Sequence, residues 1–218
     1  MNDLHLPEAV VFDCDGTIVD TETVSDAAWH EVLARYGYTP TESDLLEVTG
    51  TTWPFAFEHF RTRVDIGDDA TAFREELREV FREVFEEEVE FFHDVLLVMR
   101  QLVNRGIPIA VASSSSRQHV ELVLDRAEVH DLVTAVLGAE DTEHNKPHPE
   151  PYLKAAQQLD ADPVRCAAVE DSDVGIEAAK KAGMWVVAMD RGRFPREALA
   201  GGDLLVDKLT LEHLVPRG

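Results

Sequence analysis

Short apolar runs at residues 9–12, 107–112, 166–169 and 185–189, with a weaker one at 204–206, constrain this chain more than any other feature. Each is too brief for a buried helix and apolar throughout, as in strands covered on both faces. Helical patterns separate them, over residues 95–104, 117–127, 149–159 and 175–182. Strand and helix in alternation predict an α/β fold, a Rossmann-like doubly wound parallel sheet with helices on both faces. Gly106 and Gly183 each stand just before a strand, where a helix is expected to stop in the left-handed conformation.

Residues 21–92 break this alternation. They carry no buried-strand run, but Ala27, Ala28, Val32 and Leu33 share a helix face, followed by Phe55, Phe60 and Val64, then Phe73, Leu77, Val80, Phe81, Val84 and Phe85. Such spacing is that of amphipathic helices. The expected organisation is a core domain of residues 1–20 plus 93–218, with residues 21–92 inserted as an all-helical cap domain. An insertion after the first strand is expected over the carboxyl end of the sheet, where open α/β sheets take their ligands.

Composition narrows the function. A net charge of −23 on 218 residues repels a polyanion, so no nucleic-acid partner is expected. A small anionic substrate must then be captured by cations local to its site. Two cysteines, Cys14 and Cys166, fall in buried-strand contexts and give no disulfide framework. No signal peptide or membrane span is read, so the expectation is a cytoplasmic enzyme without a membrane partner, monomeric by default. Residues 214–218, LVPRG, match a common protease-site linker and are left out of the reading.

Chemistry concentrates at the ends of the apolar runs. The first ends in Asp13-Cys14-Asp15-Gly16-Thr17, a pair of acids that by itself is equally a turn or a calcium-loop fragment. The second ends in four serines, Ser113 to Ser116. A lysine follows in Asn145-Lys146-Pro147-His148-Pro149, and the next strand ends in Val169-Glu170-Asp171-Ser172. In a doubly wound sheet these can converge on one crevice. Together they offer a nucleophile, hydroxyl and amide donors for phosphate, a fixed positive charge and a second acidic pair for a metal, a set suited to phosphoryl transfer.

These segments, in this order, resemble the haloacid dehalogenase superfamily, in the branch with a helical cap after the first motif that includes beta-phosphoglucomutase and phosphoglycolate phosphatase. The fourth motif, Glu170 to Gly183, and the stretch Lys146 to Tyr152 carry the resemblance most specifically. It implies a phosphatase acting on a small phosphorylated metabolite, such as a sugar phosphate, with Asp13 as nucleophile and aspartyl-phosphate carrier. Asp15 is then the general acid and base, Ser113 and the amide of Ser114 bind phosphate oxygens, and Lys146 neutralises the transferring group. Mg2+ is implied as cofactor, held by Asp13, the main-chain carbonyl of Asp15, Asp171 and, directly or through water, Glu170.

Other positions keep two readings. Ser115 and Ser116 are read mainly as the start of the next helix. Arg117 approaches substrate or faces solvent, and Asp20 and Glu22 order the hinge or touch substrate. Cys14 is expected to point into the core, and the histidines, His144 and His148 included, to lie on the surface.

The cap departs from the resemblance. The mutase's cap histidine corresponds to Ser25, which weakens the alternative of a phosphomutase, and the arginine that binds a second phosphate is replaced in Gly50-Thr51-Thr52-Trp53. A substrate with one phosphate, contacted by Thr52 and Trp53, is the expectation. His93-Asp94 stands where relatives carry Pro-Gly. No lysine precedes Lys146, which removes imine-forming phosphonatase chemistry.

Overall fold

The computed structural model describes residues 6–49 and 51–216. Gly50 of the cap loop, Arg217 and Gly218 of the terminal LVPRG, and residues 1–5 lie outside them. The chain divides into two compact units, Met1–Val19 with Phe91–Gly218, and Asp20–Glu90.

The first unit is built on a parallel six-stranded sheet. Its strands are β1 (Ala9–Phe12), β2 (Ile109–Ala112), β3 (Ala135–Leu137), β4 (Cys166–Glu170), β5 (Trp185–Met189) and β6 (Leu204–Val206). Their order across the sheet is β3-β2-β1-β4-β5-β6, every pair parallel. The winding therefore reverses between β1 and β4, the switch point at which such sheets open a ligand crevice beyond their carboxyl ends. Strand β3 has no counterpart among the expected runs, and β2 starts two residues later than its apolar run. Pro108, which has no N–H to give a ladder, stands just before it.

Four helices of this unit follow the expected patterns: α5 (His93–Val103), α6 (Arg117–Arg126), α7 (Glu150–Gln158) and α8 (Asp173–Lys181). Gly106 and Gly183 take φ of 74° and 85°, the left-handed stops anticipated for them. Small side chains let two of these helices lie close on the sheet. Ala155 and Ala156 of α7 and Ala178 and Ala179 of α8 share one buried cluster with Val11, Ala110, Ala168 and Ala188.

The second unit holds α1 (Thr21–Arg35), α2 (Glu42–Val48), α3 (Trp53–Arg61) and α4 (Ala70–Glu88). Its interior is aromatic: Trp29 packs on Phe60 with ring centroids 4.6 Å apart and on Phe73 at 6.1 Å. Asp44 and His59 are buried beside it and bonded to each other at 3.3 Å. No helix among the described residues is long and apolar enough to cross a membrane.

Candidate active site

Strand register alone brings three of the four signals to one level. Phe12 pairs with Val111 on one side and Val169 on the other, so Asp13, Ala112 and Glu170 come next together, with Ser113 one step on. The Asp13 N–H extends the ladder by donating to the Val169 carbonyl at 2.9 Å. Beyond it the chain turns sharply, Ile18 N–H reaching the Cys14 carbonyl at 2.8 Å and Gly16 N–H that of Val19 at 2.8 Å. Gly16 takes φ +77°, and a Cβ there would overlap the Asp171 carboxylate. A Cβ on Gly175, in the first turn of α8, would overlap the Glu170 carboxylate. Both glycines are thus required by the close approach of an acid.

The charges are buried and mutually arranged. The Lys146 side chain, 4% exposed, donates from Nζ to Asp13 Oδ1 at 2.5 Å and to Glu170 Oε1 at 2.6 Å. Glu170 is wholly buried and accepts five hydrogen bonds. Tyr152 OH reaches Oε1 at 2.6 Å, beside Lys146, while Oε2 takes the Asp171 and Ser172 amides at 3.1 and 3.2 Å and Ser172 Oγ at 3.0 Å. Burial would lower the Lys146 pKa, but the Asp13 and Glu170 carboxylates outweigh it and hold the ammonium well above its usual value. Asp13 moves the other way for a carboxyl. Burial, then Glu170 and Asp15, push it up to about 7 against the pull of Lys146.

Oxygens of Asp13, Glu170 and Asp171 lie within 4.8 Å of one another, all three residues buried. An all-oxygen, strongly negative donor set suits a hard divalent cation such as Mg2+. The raised Asp13 pKa points the same way, since a bound cation would offset the burial and the neighbouring acids that cause it.

Asp15 faces a different set of groups. Its Oδ2 accepts from Ser115 Oγ at 2.7 Å and Ser113 Oγ at 3.2 Å, and its Oδ1 from His119 Nε2 at 2.9 Å. Burial raises its pKa, and the His119 and serine bonds more than reverse this, leaving the carboxyl below its ordinary value. His119 is shifted upward, its own burial being outweighed by Asp15.

A family model described as haloacid dehalogenase-like hydrolase matches residues 10–189. The chain belongs to that family. This hydrolase is 33% identical over 177 residues to the fructose-1-phosphate phosphatase YqaB of Escherichia coli (strain K12), a match covering 80% of this chain and 92% of the relative. It is 29% identical over 221 residues to the beta-phosphoglucomutase of Bacillus subtilis (strain 168), covering 95% and 93%. Among solved structures, a beta-phosphoglucomutase-like protein of Thermotoga maritima superposes with TM-score 0.83 at 26% identity, covering 95% of this chain and 96% of that one. The α/β fold and its resemblance to this superfamily are therefore established, and with them that the chain is an enzyme.

Within the first unit, not every residue singled out in the sequence reaches the acids of the hydrolase. Ser114 is exposed, with its amide in the loop between β2 and α6. Arg117 is committed to Asp141 at 2.9 Å, with Glu121 at 3.8 Å. Ser116 caps α6 by accepting from the His119 amide at 3.3 Å, as expected, but Ser115 is bonded to Asp15 and is no helix cap. Cys14 is fully buried, and His144 and His148 are exposed, their ring centroids 4.6 Å apart. Glu22, Thr52 and Trp53 belong to the second unit. Glu22 lies in the first turn of α1, which Asp20 caps through Thr23 N–H at 3.0 Å. Thr52 is exposed at the start of α3, and Trp53 is half-buried, stacked on Trp29 at 6.3 Å with the Arg74 guanidinium 5.6 Å from its ring centroid.

The sequence reading missed His119 and Tyr152 as site residues. Tyr152 had a signal, being six residues past Lys146 at the first turn of α7, where a buried phenol needs a partner. His119 had none, because a lone histidine in a helix carries no spacing that ties it to an acid 104 residues away.

Proposed function

We propose that this chain is a Mg2+-dependent phosphatase that hydrolyses the phosphomonoester of a small metabolite through an aspartyl-phosphate on Asp13. The observation that carries the reading is the Lys146 ammonium bonded at once to Asp13 and Glu170, with Asp171 alongside and Asp15 two residues past Asp13. An Asp13 carboxylate oxygen attacks phosphorus as the ester oxygen leaves. Asp15 protonates that oxygen, and then takes a proton from the water that attacks the aspartyl-phosphate, releasing inorganic phosphate and restoring Asp13. Ser113 Oγ and the Ser114 amide hold phosphate oxygens, and Lys146 balances their charge. Glu170 acts mainly behind the site, because five donors already occupy its oxygens. Asp13, the Asp15 carbonyl and Asp171, with Glu170 in support, would hold Mg2+, which would supply positive charge to balance the transferring group.

A substrate with a single phosphate fits the loss of a cap arginine, and the Escherichia coli relative is named for a sugar monophosphate. Inorganic phosphate release from a panel of phosphorylated metabolites, with Mg2+ or with chelator, tests the proposal on wild type and Asp13→Asn. Turnover is expected only in the wild type with Mg2+. Retained turnover by Asp13→Asn would discard the covalent route, and isomerised sugar phosphate without free phosphate would make the enzyme a mutase.

A further inference from the structure

The acid and base of a phosphatase must present one oxygen to a leaving group and later to water, so its carboxylate has to be held in a defined rotamer. Asp15 is held by three side chains, all from the loop after β2 and the first turn of α6. Two of them meet on Oδ2. Of these, Ser113 also accepts the Ser115 amide at 2.9 Å and is the hydroxyl assigned to substrate phosphate, so its bond to Asp15 is open to exchange once phosphate arrives. Among the described residues, Oδ1 accepts its one bond from His119.

The helix fixes where His119 can reach. Its amide is tied to the Ser116 cap, and helical side chains lean back toward the N-terminus, which turns this ring onto the loop that carries Ser113 and Ser115. The ring is 22% exposed and the Asp15 side chain 29%, so the bond is shielded from much of the competition with water that weakens surface pairs. Only an Nε2–H is required. The neutral ring with its hydrogen on Nε2 and the imidazolium both provide it, so the hydrogen bond can form in either charge state of the histidine.

We propose that His119 is the positioning residue for Asp15, fixing the carboxylate so that its proton meets the departing ester oxygen. The inference rests on the phosphatase reading and deepens it. His119 acts on the reaction through Asp15.

The test separates leaving groups in rapid-quench measurements of the first turnover. An alkyl phosphate needs the Asp15 proton, whereas p-nitrophenyl phosphate expels a stable phenolate and needs it far less. His119→Leu, which has no donor, is expected to slow transfer from the alkyl ester by about 10- to 100-fold, a part of the full worth of a general acid. Transfer from the p-nitrophenyl ester should slow by less than about 3-fold, with KM for both nearly unchanged. His119→Gln, which restores an N–H, should recover most of the alkyl rate. Independently of turnover, Asp15→Asn should shift the side-chain nitrogen resonances of His119. Equal losses for the two esters, no loss with the alkyl ester, or no rescue by glutamine would overturn the proposal, as would unmoved His119 resonances. A wild type that releases no phosphate from any monoester would remove the phosphatase reading itself and this role with it, whereas an active wild type with indifferent His119 variants would remove this role alone.

Discussion

Gly16 passes so close to Asp171 that a single added methyl would occupy the space of the Asp171 carboxylate. The turn after β1 and the end of β4 are thereby pinned together. Gly16→Ala would meet two obstacles, a left-handed φ that costs about 1–2 kcal/mol for a residue with a Cβ and the displaced acid. The expected result is a folded protein with a lower Tm and at least a roughly tenfold weaker apparent affinity for Mg2+. A metal titration of activity followed beside thermal melting checks it. Unchanged Mg2+ affinity would show that Asp171 does not depend on this approach.

Glu170 illustrates how an isosteric change can be severe. All of its partners are donors: Lys146, Tyr152, the amides of Asp171 and Ser172, and the Ser172 hydroxyl. Glu170→Gln would set an amide N–H against some of them and leave the buried Lys146 with only Asp13. Breaking a buried pair in this way costs about 3–5 kcal/mol, while Tyr152→Phe removes one donor and is expected to cost about 1 kcal/mol. Urea unfolding of both variants gives the comparison. Equal, small losses would mean that the Glu170 charge is not the keystone of this cluster.

The sheet was largely legible because each buried strand wrote itself as an apolar run and each following helix as a periodic one. Strand β3 escaped for a physical reason. Ala135–Leu137 is three residues long and set between two short 3-10 turns, His130–Leu132 and Ala139–Asp141, so no run is long enough to stand out. The site was legible where strand ends dictate position, at Asp13, Ser113 and Glu170. It was hidden where a helix carries a side chain back across the fold, at His119, and where a loop serine turned to an acid rather than to the helix, at Ser115.

In the second unit, Asp44 gathers five donors around one buried carboxylate: Thr41 N–H at 2.9 Å and Oγ1 at 2.7 Å, Tyr38 OH at 2.9 Å, His59 at 3.3 Å and Arg63 Nε at 2.9 Å. Burial alone would raise its pKa, and these bonds overturn that and hold it far below the usual carboxyl range. A depressed folded pKa stabilises fully above the unfolded value near 3.8, and this stabilisation fades as pH falls below it toward the folded value. Asp44→Asn is therefore expected to destabilise by about 2–3 kcal/mol at pH 7, with the difference from wild type shrinking below about pH 4. Denaturation at a series of pH values measures this, and a difference that persists undiminished into acid would assign the effect to packing instead of charge.

Asp13 carries the opposite linkage. Its carboxyl is raised from 3.8 to about 7 in the metal-free protein, so the native state binds a proton that the unfolded chain has already released. Stability should then fall as pH rises between those two values and level off above the upper one. Asp13→Asn has no proton to lose there and should flatten that slope. A divalent cation binds the ionised carboxylate and competes with this proton, so the rise in Tm on adding Mg2+ is expected to grow from pH 6 to pH 8 and to approach a plateau beyond. In Asp13→Asn the Mg2+-induced rise should be smaller and nearly independent of pH. Thermal melts with Mg2+ and with chelator across this range decide the matter. A wild-type shift of constant size would mean that Asp13 is already ionised at pH 6, and that Lys146 outweighs the burial and neighbouring acids that raise it.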